Sequence, residues 1–128
     1  MREIKFRGKD RRTGEWFFGN LYDKDNRGRT HICTTLKGSL DVIPETVGQY
    51  TGLKDCNGKE IYENDIVMLN STIKSEVVWH GKLGAFALLE PYSQIVGERP
   101  LGGMLEYFPN LEVIGNMYDN VELLVQCE

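Results

Sequence analysis

The sequence is poor in cysteine and histidine, and each shortage argues against a class of site. Its three cysteines, Cys33, Cys56 and Cys127, stand far apart, show no C-x-x-C spacing and leave an odd count. This pattern argues against a disulfide framework and against a cysteine zinc site. Two histidines are too few for a histidine-based metal centre. We therefore expect neither a metal nor a cofactor.

Long hydrophobic runs are also missing from the sequence. No apolar stretch approaches the ~18 residues that a membrane-spanning helix needs, so no membrane partner is expected. The first residues, 1–7, alternate charged and apolar side chains and lack the apolar core of a signal peptide. The sequence therefore predicts a cytoplasmic protein.

The composition is that of a folded globular chain. The 128 residues are 41% hydrophobic, 10% aromatic and 27% charged, within the range of ordinary globular domains. A chain of this length forms one domain, or a small domain with an attached β subdomain, and buries a core without metals or disulfides.

The charge is unevenly distributed along the chain. Residues 1–29 carry a net charge of +4 and the remainder −8, which together give the net charge of −4. Residues 104–128 contain five acidic residues and no basic one. Such a bipolar chain could bring its basic end against the acidic end of another copy, or against an anionic partner. Solvated strand faces are the simpler interpretation.

Glycine-rich turns between short alternating segments predict a mainly β protein. Residues 1–34 are predicted to form a three-stranded antiparallel meander. A later hairpin is predicted to place Trp79 against Phe86. Pro44 is predicted to end a short extended segment. Residues 91–108 are predicted to be a long loop, and Asp119 is predicted to start a short C-terminal helix with Glu122 as its capping-box partner.

The run 49–67 is the most informative stretch. Asn57 and Gly58 are typical of a type I′ hairpin turn, in which both central residues have positive φ angles. Asn64 is the non-glycine residue type that best tolerates a left-handed corner. Turn chemistry also explains the acidic residues around these positions, so they are not interpreted as a calcium loop.

The same run carries a family resemblance. The segments 1–7, 49–55, 57–63, 65–67 and 111–116, together with Tyr118 and Asn120, resemble the YopX family of phage and prophage proteins, and the likeness extends over the whole chain. Two positions depart from the family pattern. Asn64 stands where the family usually has glycine, and Cys56 replaces an expected lysine.

The resemblance implies a mainly β fold with an N-terminal β portion, here 1–48, and an SH3-like small barrel, here 49–128, that includes the short C-terminal helix. It also implies expression from a phage or prophage, hence a bacterial cytoplasm. It implies no defined biochemical activity.

The sequence contains little evidence of a catalytic site. His31 and Cys33, two apart on one strand face, are the only pair suggestive of a nucleophilic site. An incidental histidine and cysteine on a strand are the commoner situation. Gly102 and Gly103 lack the lysine and the preceding strand of a phosphate-binding loop. The prediction is that the protein is not an enzyme.

A basic and aromatic cluster near the N-terminus suggests a contact surface. Its members are Arg7, Lys9, Arg11, Arg12 and Trp16. Small barrels bind single-stranded nucleic acid through such groups. The pI of about 5.2 argues against a nucleic-acid binder, so a protein-contact or core role is favoured.

Two functional hypotheses remain. The first is a phage or prophage accessory protein that acts by protein–protein interaction, as a homo-oligomer or on an unidentified phage or host protein. The alternative is a nucleic-acid-binding small-barrel module.

Overall fold

The computed structural model describes residues 2–70, 73–89 and 100–124, which are mainly antiparallel β-strand. The mainly β prediction is confirmed. The chain divides into two compact units, Met1–Gly52 (unit 1) and Leu53–Glu128 (unit 2), whereas the family resemblance suggested a division after residue 48.

Unit 1 is built from four antiparallel strands that close on themselves. They are β1 (Phe6–Asp10), β2 (Trp16–Tyr22), β3 (His31–Thr34) and β4 (Gly38–Lys54), the last of which ends in unit 2. The predicted meander is present, since β1 pairs with β2 and β2 with β3. β4 pairs with both β3 and β1, and this closure was not predicted.

Two glycines allow the strands of unit 1 to approach closely. A Cβ atom on Gly8 would lie 3.0 Å from Val42 Cγ2 and 3.1 Å from Ile32 Cγ1, and these two side chains are fully buried. A Cβ on Gly19 would lie 2.2 Å from the carbonyl oxygen of Cys33. The unit therefore closes around a very small interior, where side chains larger than hydrogen do not fit at these two positions.

The sequence prediction for Pro44 is wrong, because β4 continues through it. Proline cannot donate a ladder hydrogen bond, and the β1–β4 register shifts at this level. The buried hydroxyl of Thr46 compensates by accepting from the Lys9 N–H at 2.9 Å and donating to the Ile43 carbonyl at 2.6 Å. A local irregularity thus lets one long strand serve two partners.

Unit 2 contains an antiparallel sheet whose strand order is β8-β7-β6-β9. An additional strand, β5, pairs with β4. The elements of unit 2 are β5 (Glu60–Tyr62), β6 (Asp65–Met68), β7 (Lys74–His80), β8 (Ala85–Leu89), α1 (Leu101–Tyr107), β9 (Glu112–Asn116) and a 3₁₀ turn (Val121–Leu123). The SH3-like character of this unit stays a prediction.

The main hydrophobic core lies in unit 2. Nine apolar side chains form one buried cluster: Ile61, Val67, Leu69, Val77, Leu88, Leu101, Met104, Leu111 and Val113. At its margin the predicted contact between Trp79 and Phe86 is confirmed, with edge-to-face rings whose centroids are 5.1 Å apart. Such a pair adds about 1 kcal/mol beyond its buried area.

The prediction of a loop over residues 91–108 is wrong in part, because it contains a helix. Part of the predicted 91–108 loop is α1, which buries Leu101 and Met104 while its two glycines face solvent. Burial three residues apart outweighs the poor helix propensity of glycine. The remainder of that predicted loop, up to residue 99, lies outside the described residues.

No capping box forms near the C-terminus of the described chain. The segment is a single 3₁₀ turn, and its N-cap residue, Asn120, makes no side-chain cap hydrogen bond. Instead, the Asn116 side-chain oxygen accepts from the Tyr118 and Asp119 N–H groups. The Asn120 side-chain oxygen accepts from the Asn116 N–H.

The turn at Asp55 differs from the predicted type I′ hairpin. Gly58 has a positive φ of 80°, but Asn57 does not belong to the positive-φ residues. The Gly58 N–H donates to the Asp55 carbonyl and the Asp55 N–H to the Lys59 carbonyl. The Asp55 side chain accepts from the backbone N–H groups of Asn57 and Lys59, both at 2.9 Å. This carboxylate, rather than a primed turn, holds the loop.

Asn64 occupies the left-handed corner that its residue type suggests. Its φ angle is 76°, its N–H donates to the Val77 carbonyl and its own carbonyl accepts from the Met117 N–H. The corner therefore links β6 to two other segments of unit 2.

We expect Asn64→Gly to leave the free energy of unfolding within about 0.5 kcal/mol of wild type, and Asn64→Ala to lower it by about 1 kcal/mol. Glycine adopts this conformation without steric cost, whereas alanine lacks the local hydrogen bonding that lets asparagine tolerate it. Urea denaturation of the three proteins measures the difference. Equal stability of the alanine and glycine variants would show that the corner is not strained.

Candidate interaction surfaces of unit 1

Three of the five residues in the predicted basic and aromatic cluster lie together. Cross-strand pairing sets Lys9 opposite Trp16. The Arg7 guanidinium lies 4.9 Å from the Trp16 ring centroid and the Lys9 amine 5.7 Å from it. Arg7 is buried, so its charge contributes to packing on the indole and is poorly placed to meet a ligand.

The other two members of the cluster, Arg11 and Arg12, lie in different environments. Arg11 donates through Nε to Asp41 Oδ1 at 3.3 Å and through Nη2 to the Val42 carbonyl at 3.4 Å. Arg12 lies in the β1–β2 turn, where its backbone N–H donates to Asp10 Oδ1 and the residue is exposed. The structure therefore does not bring all five residues into one surface.

Unit 1 also carries an apolar groove that the sequence did not reveal. The groove, of about 660 Å³, runs between the segment preceding β1, strand β2 and the β3–β4 turn. Three of its apolar side chains are largely exposed, with exposed fractions of 95% for Leu36, 58% for Ile4 and 48% for Phe18. Single exposed apolar residues are ordinary, but several that share one concave surface indicate a binding surface.

Lysines line the apolar groove. The Lys37 amine lies 5.4 Å from the Phe17 ring centroid. The Lys5 amine lies 5.3 Å from that of Tyr50 and 3.5 Å from Glu3 Oε2. Because Lys5 is paired with Glu3, the lining carries one positive charge in excess, that of Lys37. A groove lined by apolar side chains with this excess charge suits an apolar segment that carries acidic residues.

A second concavity, the arginine pocket, lies at the β2–β3 loop. It measures about 340 Å³ and is lined by Asp25, Asn26, Arg27, Arg29, His31 and Asp41. Asp25 organises the loop: its Oδ1 accepts from the backbone N–H groups of Arg27 at 2.8 Å and Arg29 at 3.0 Å. Its Oδ2 lies 2.7 Å from His31 Nε2.

These contacts change the acidity of Asp25. The hydrogen bond from the Arg29 backbone, followed by those from His31 and the Arg27 backbone, lowers its pKa from 3.8 to about 2. Each donor favours the ionised carboxylate. Asp25 therefore carries a negative charge at neutral pH.

The suggestive pair His31 and Cys33 does not share a pocket. His31 lines the arginine pocket and faces Asp25, whereas Cys33 lines the apolar groove. His31 Nδ1 is buried and has no hydrogen-bond partner among the described residues. The two side chains therefore do not line one site in which both could act on the same substrate. Absence of catalysis stays a prediction.

Sequence reasoning missed several of these residues for identifiable reasons. In the sequence Leu36 and Ile4 look like ordinary strand or turn residues. Only the tertiary fold shows that no other described part of unit 1 buries them. Arg27 and Arg29 were present as a local excess of basic residues in the loop before β3, and this was the one usable signal.

Metal-binding clusters and membrane-spanning helices can be assessed for the described residues only. Among them, no group of three or more His, Cys, Asp or Glu side chains is placed to hold a metal ion. Within the same ranges, none of the helices has the length and apolar character required to cross a bilayer.

Comparison with known proteins identifies the lineage. The family described as YopX protein matches residues 5–125. The crystal structure of protein EF1440 from Enterococcus faecalis is similar, with a TM-score of 0.62 and 23% sequence identity over 98% of this chain and 100% of that chain; this likeness supports the fold alone. No curated protein sequence matches. The predicted resemblance is confirmed, and the chain belongs to the YopX protein family.

Proposed function

We propose that the protein is a phage or prophage accessory protein that acts by protein–protein contact and assembles with copies of itself. The observation that supports this most is the apolar groove, whose lining includes the exposed side chains of Leu36, Ile4 and Phe18. Burying such side chains against a partner contributes about 25 cal/mol per Å² of apolar surface.

A second copy is the occupant that charge complementarity favours. Lys5 and Lys37 line the groove, and residues 104–128 carry five acidic residues without a basic one. In that acidic segment Val121 is 48% exposed and Glu122 stands next to it. We assign this apolar–acidic pair as the part of one copy that enters the groove of another. Such a contact between two different surfaces forms rings or chains, or a two-fold dimer in which each copy fills the groove of the other.

Two double variants test the assembly. Ile4→Asp/Leu36→Asp disables the groove, and Val121→Lys/Glu122→Lys disables the acidic segment. We expect wild type to show the mass of two or more 14.6 kDa chains by size exclusion with light scattering, and each variant to be monomeric at the same concentration. All four positions are exposed, so folding should be unaffected.

Mixing the two variants provides the decisive measurement. Each retains one intact half of the interface, so an equimolar mixture should form a heterodimer and nothing larger. Leu83→Asp, an equally apolar-to-acidic change at a 41% exposed site in the β7–β8 turn, is the matched control and should assemble like wild type. A monomeric wild type at tens of micromolar, or a mixture without heterodimer, would contradict the proposal.

Nucleic-acid binding remains the alternative function, and the contact of Lys9 with Trp16 is the observation in its favour. It is weaker because Arg7 is buried and Arg11 is bound to Asp41. Arg11→Glu/Arg12→Glu should abolish oligonucleotide binding at low salt if this function is correct, since phosphate contacts dominate such affinity. Fluorescence anisotropy that detects no binding by wild type would eliminate it.

A further inference from the structure

The arginine pocket has features that neither assembly nor family membership explains. We propose that it is a binding site for a phosphate group, with Arg27 and Arg29 as the recognising side chains. This site is separate from the apolar groove, so the inference does not depend on the proposed assembly.

Every carboxylate oxygen of the pocket already has at least one internal donor. Asp25 accepts from two backbone N–H groups and faces His31 Nε2. Asp41 Oδ2 accepts from Arg29 Nη1 at 3.0 Å, and Asp41 Oδ1 accepts from Arg11 Nε at 3.3 Å. A metal or amine would have to compete with these donors for the carboxylates and is therefore disfavoured.

Arginine donors remain after these pairings. Arg29 and Arg11, the latter outside the pocket lining, share Asp41, and no described carboxylate pairs with Arg27. Arg29 uses one N–H in its ion pair with Asp41, and a guanidinium offers five. The Arg27 side chain makes no hydrogen bond or ion pair with any described residue. The pocket is thus rich in unused planar donors, the groups that match phosphate oxygens best.

The loop that carries these arginines is preorganised. The Asp25 N–H donates to the Arg29 carbonyl at 2.9 Å, and the Gly28 N–H donates to the Asp25 carbonyl at 3.0 Å. Gly28 has a φ of 76°, which lets the chain turn between the two arginines. A fixed backbone lowers the ordering cost of binding. A pocket of about 340 Å³ readily accommodates a phosphate and part of the group attached to it.

Inorganic phosphate titrated into the ¹⁵N-labelled protein tests the site. We expect saturable amide shifts confined to residues 25–31 and the neighbourhood of Asp41, with an affinity that Arg27→Ala weakens about tenfold, as loss of one charge-assisted contact implies. Arg27→Lys should restore only part of it, because lysine keeps the charge but loses the fork geometry. Arg27 is exposed and its side chain makes no hydrogen bond or ion pair with the described residues, so both variants should fold.

Arg12→Ala is the matched control, since it removes the same charge from an exposed turn of unit 1 that does not line the pocket. It should bind phosphate like wild type. Absence of saturable shifts, or an equal loss in the Arg12 and Arg27 variants, would overturn the proposal by reducing the effect to overall charge.

A second arm distinguishes the sources of the phosphate. A short single-stranded oligonucleotide that binds more tightly than phosphate and loses affinity with Arg27→Ala would place nucleic-acid phosphate in the pocket. Phosphate shifts without oligonucleotide binding would indicate a small phosphorylated molecule. Oligonucleotide binding that is insensitive to Arg27→Ala, together with no phosphate shifts, would contradict the site.

Discussion

Replacing Asp55 with alanine is expected to lower the free energy of unfolding by about 4 kcal/mol, because a buried carboxylate that accepts several hydrogen bonds is lost. The Asp55 residue is 8% exposed. Its Oδ1 accepts from the Asn57 and Lys59 N–H groups, and its Oδ2 from the Val113 N–H at 2.9 Å. Alanine leaves three backbone donors without an acceptor, each costing about 1–3 kcal/mol where water does not replace it.

The Asp55 contact is also long-range. It connects a turn to β9 across 58 residues of sequence, and the adjacent Cys56 N–H donates to the Leu111 carbonyl at 3.0 Å. Loss of the carboxylate should therefore loosen the attachment of β9 as well as the turn. Hydrogen exchange at the Val113 amide should report that loosening directly.

Graded variants separate this role from a general charge effect. Asp55→Asn retains one oxygen and should lose about half as much stability, because its NH₂ group cannot accept from Val113. Glu106→Ala removes an exposed acid of unit 2 and should change stability by less than about 0.5 kcal/mol. Urea denaturation followed through Trp79, the unit 2 tryptophan, measures all three. A cost below about 1 kcal/mol for Asp55→Ala would mean that water satisfies the exposed donors.

Gly19→Ala is expected to destabilise unit 1 by about 3 kcal/mol, near the upper end of what overpacking normally costs. The added methyl would stand 2.2 Å from the Cys33 carbonyl oxygen, well inside van der Waals contact. The obstructing atom is backbone rather than a flexible side chain, so β2 and β3 must separate. Closure of the four-stranded unit then suffers, because β3 also pairs with β4.

Trp16 lies in unit 1 and Trp79 in unit 2, so their fluorescence can report the two units separately. In a Trp79→Phe background, Gly19→Ala should shift the Trp16 denaturation midpoint to clearly lower urea. Gly81→Ala, followed through Trp79 in a Trp16→Phe background because it lies in unit 2, is the control. Its Cβ would meet nothing within 4 Å and its φ is not positive, so its effect should stay within about 0.5 kcal/mol. An unchanged Trp16 transition in the Gly19 variant would show that the strands yield easily.

Local features of the fold were predictable because they depend on neighbouring residues. Alternation and glycine-rich turns predicted most strands, and Asn64 was correctly expected to be left-handed. Errors arose where distant contacts overrode local preference. The Thr46 hydroxyl supports the register shift beside Pro44, and burial of Leu101 and Met104 stabilises a helix that contains two glycines.

The candidate sites were less predictable than the fold. The N-terminal cluster was visible as basic residues next to a tryptophan, yet only three of its five members meet. Contacts with residues elsewhere in the chain decide which of the five are available to a ligand. Asp41, for example, forms an ion pair with Arg11. Leu36 is exposed because it lies in the β3–β4 turn. Its residue type alone, an apolar leucine, does not predict that exposure.

By itself, the sequence determined the β class, the positions of most strands and turns, and membership of the YopX family, since these depend on residue patterns read along the chain. Only the tertiary structure decided that β4 closes unit 1, that Asp55 binds β9, and that an apolar groove and an arginine pocket exist. Those features depend on atoms far apart in sequence meeting in space. Hydrogen bonds, close packing and ion pairs between such atoms form only once the whole chain has folded.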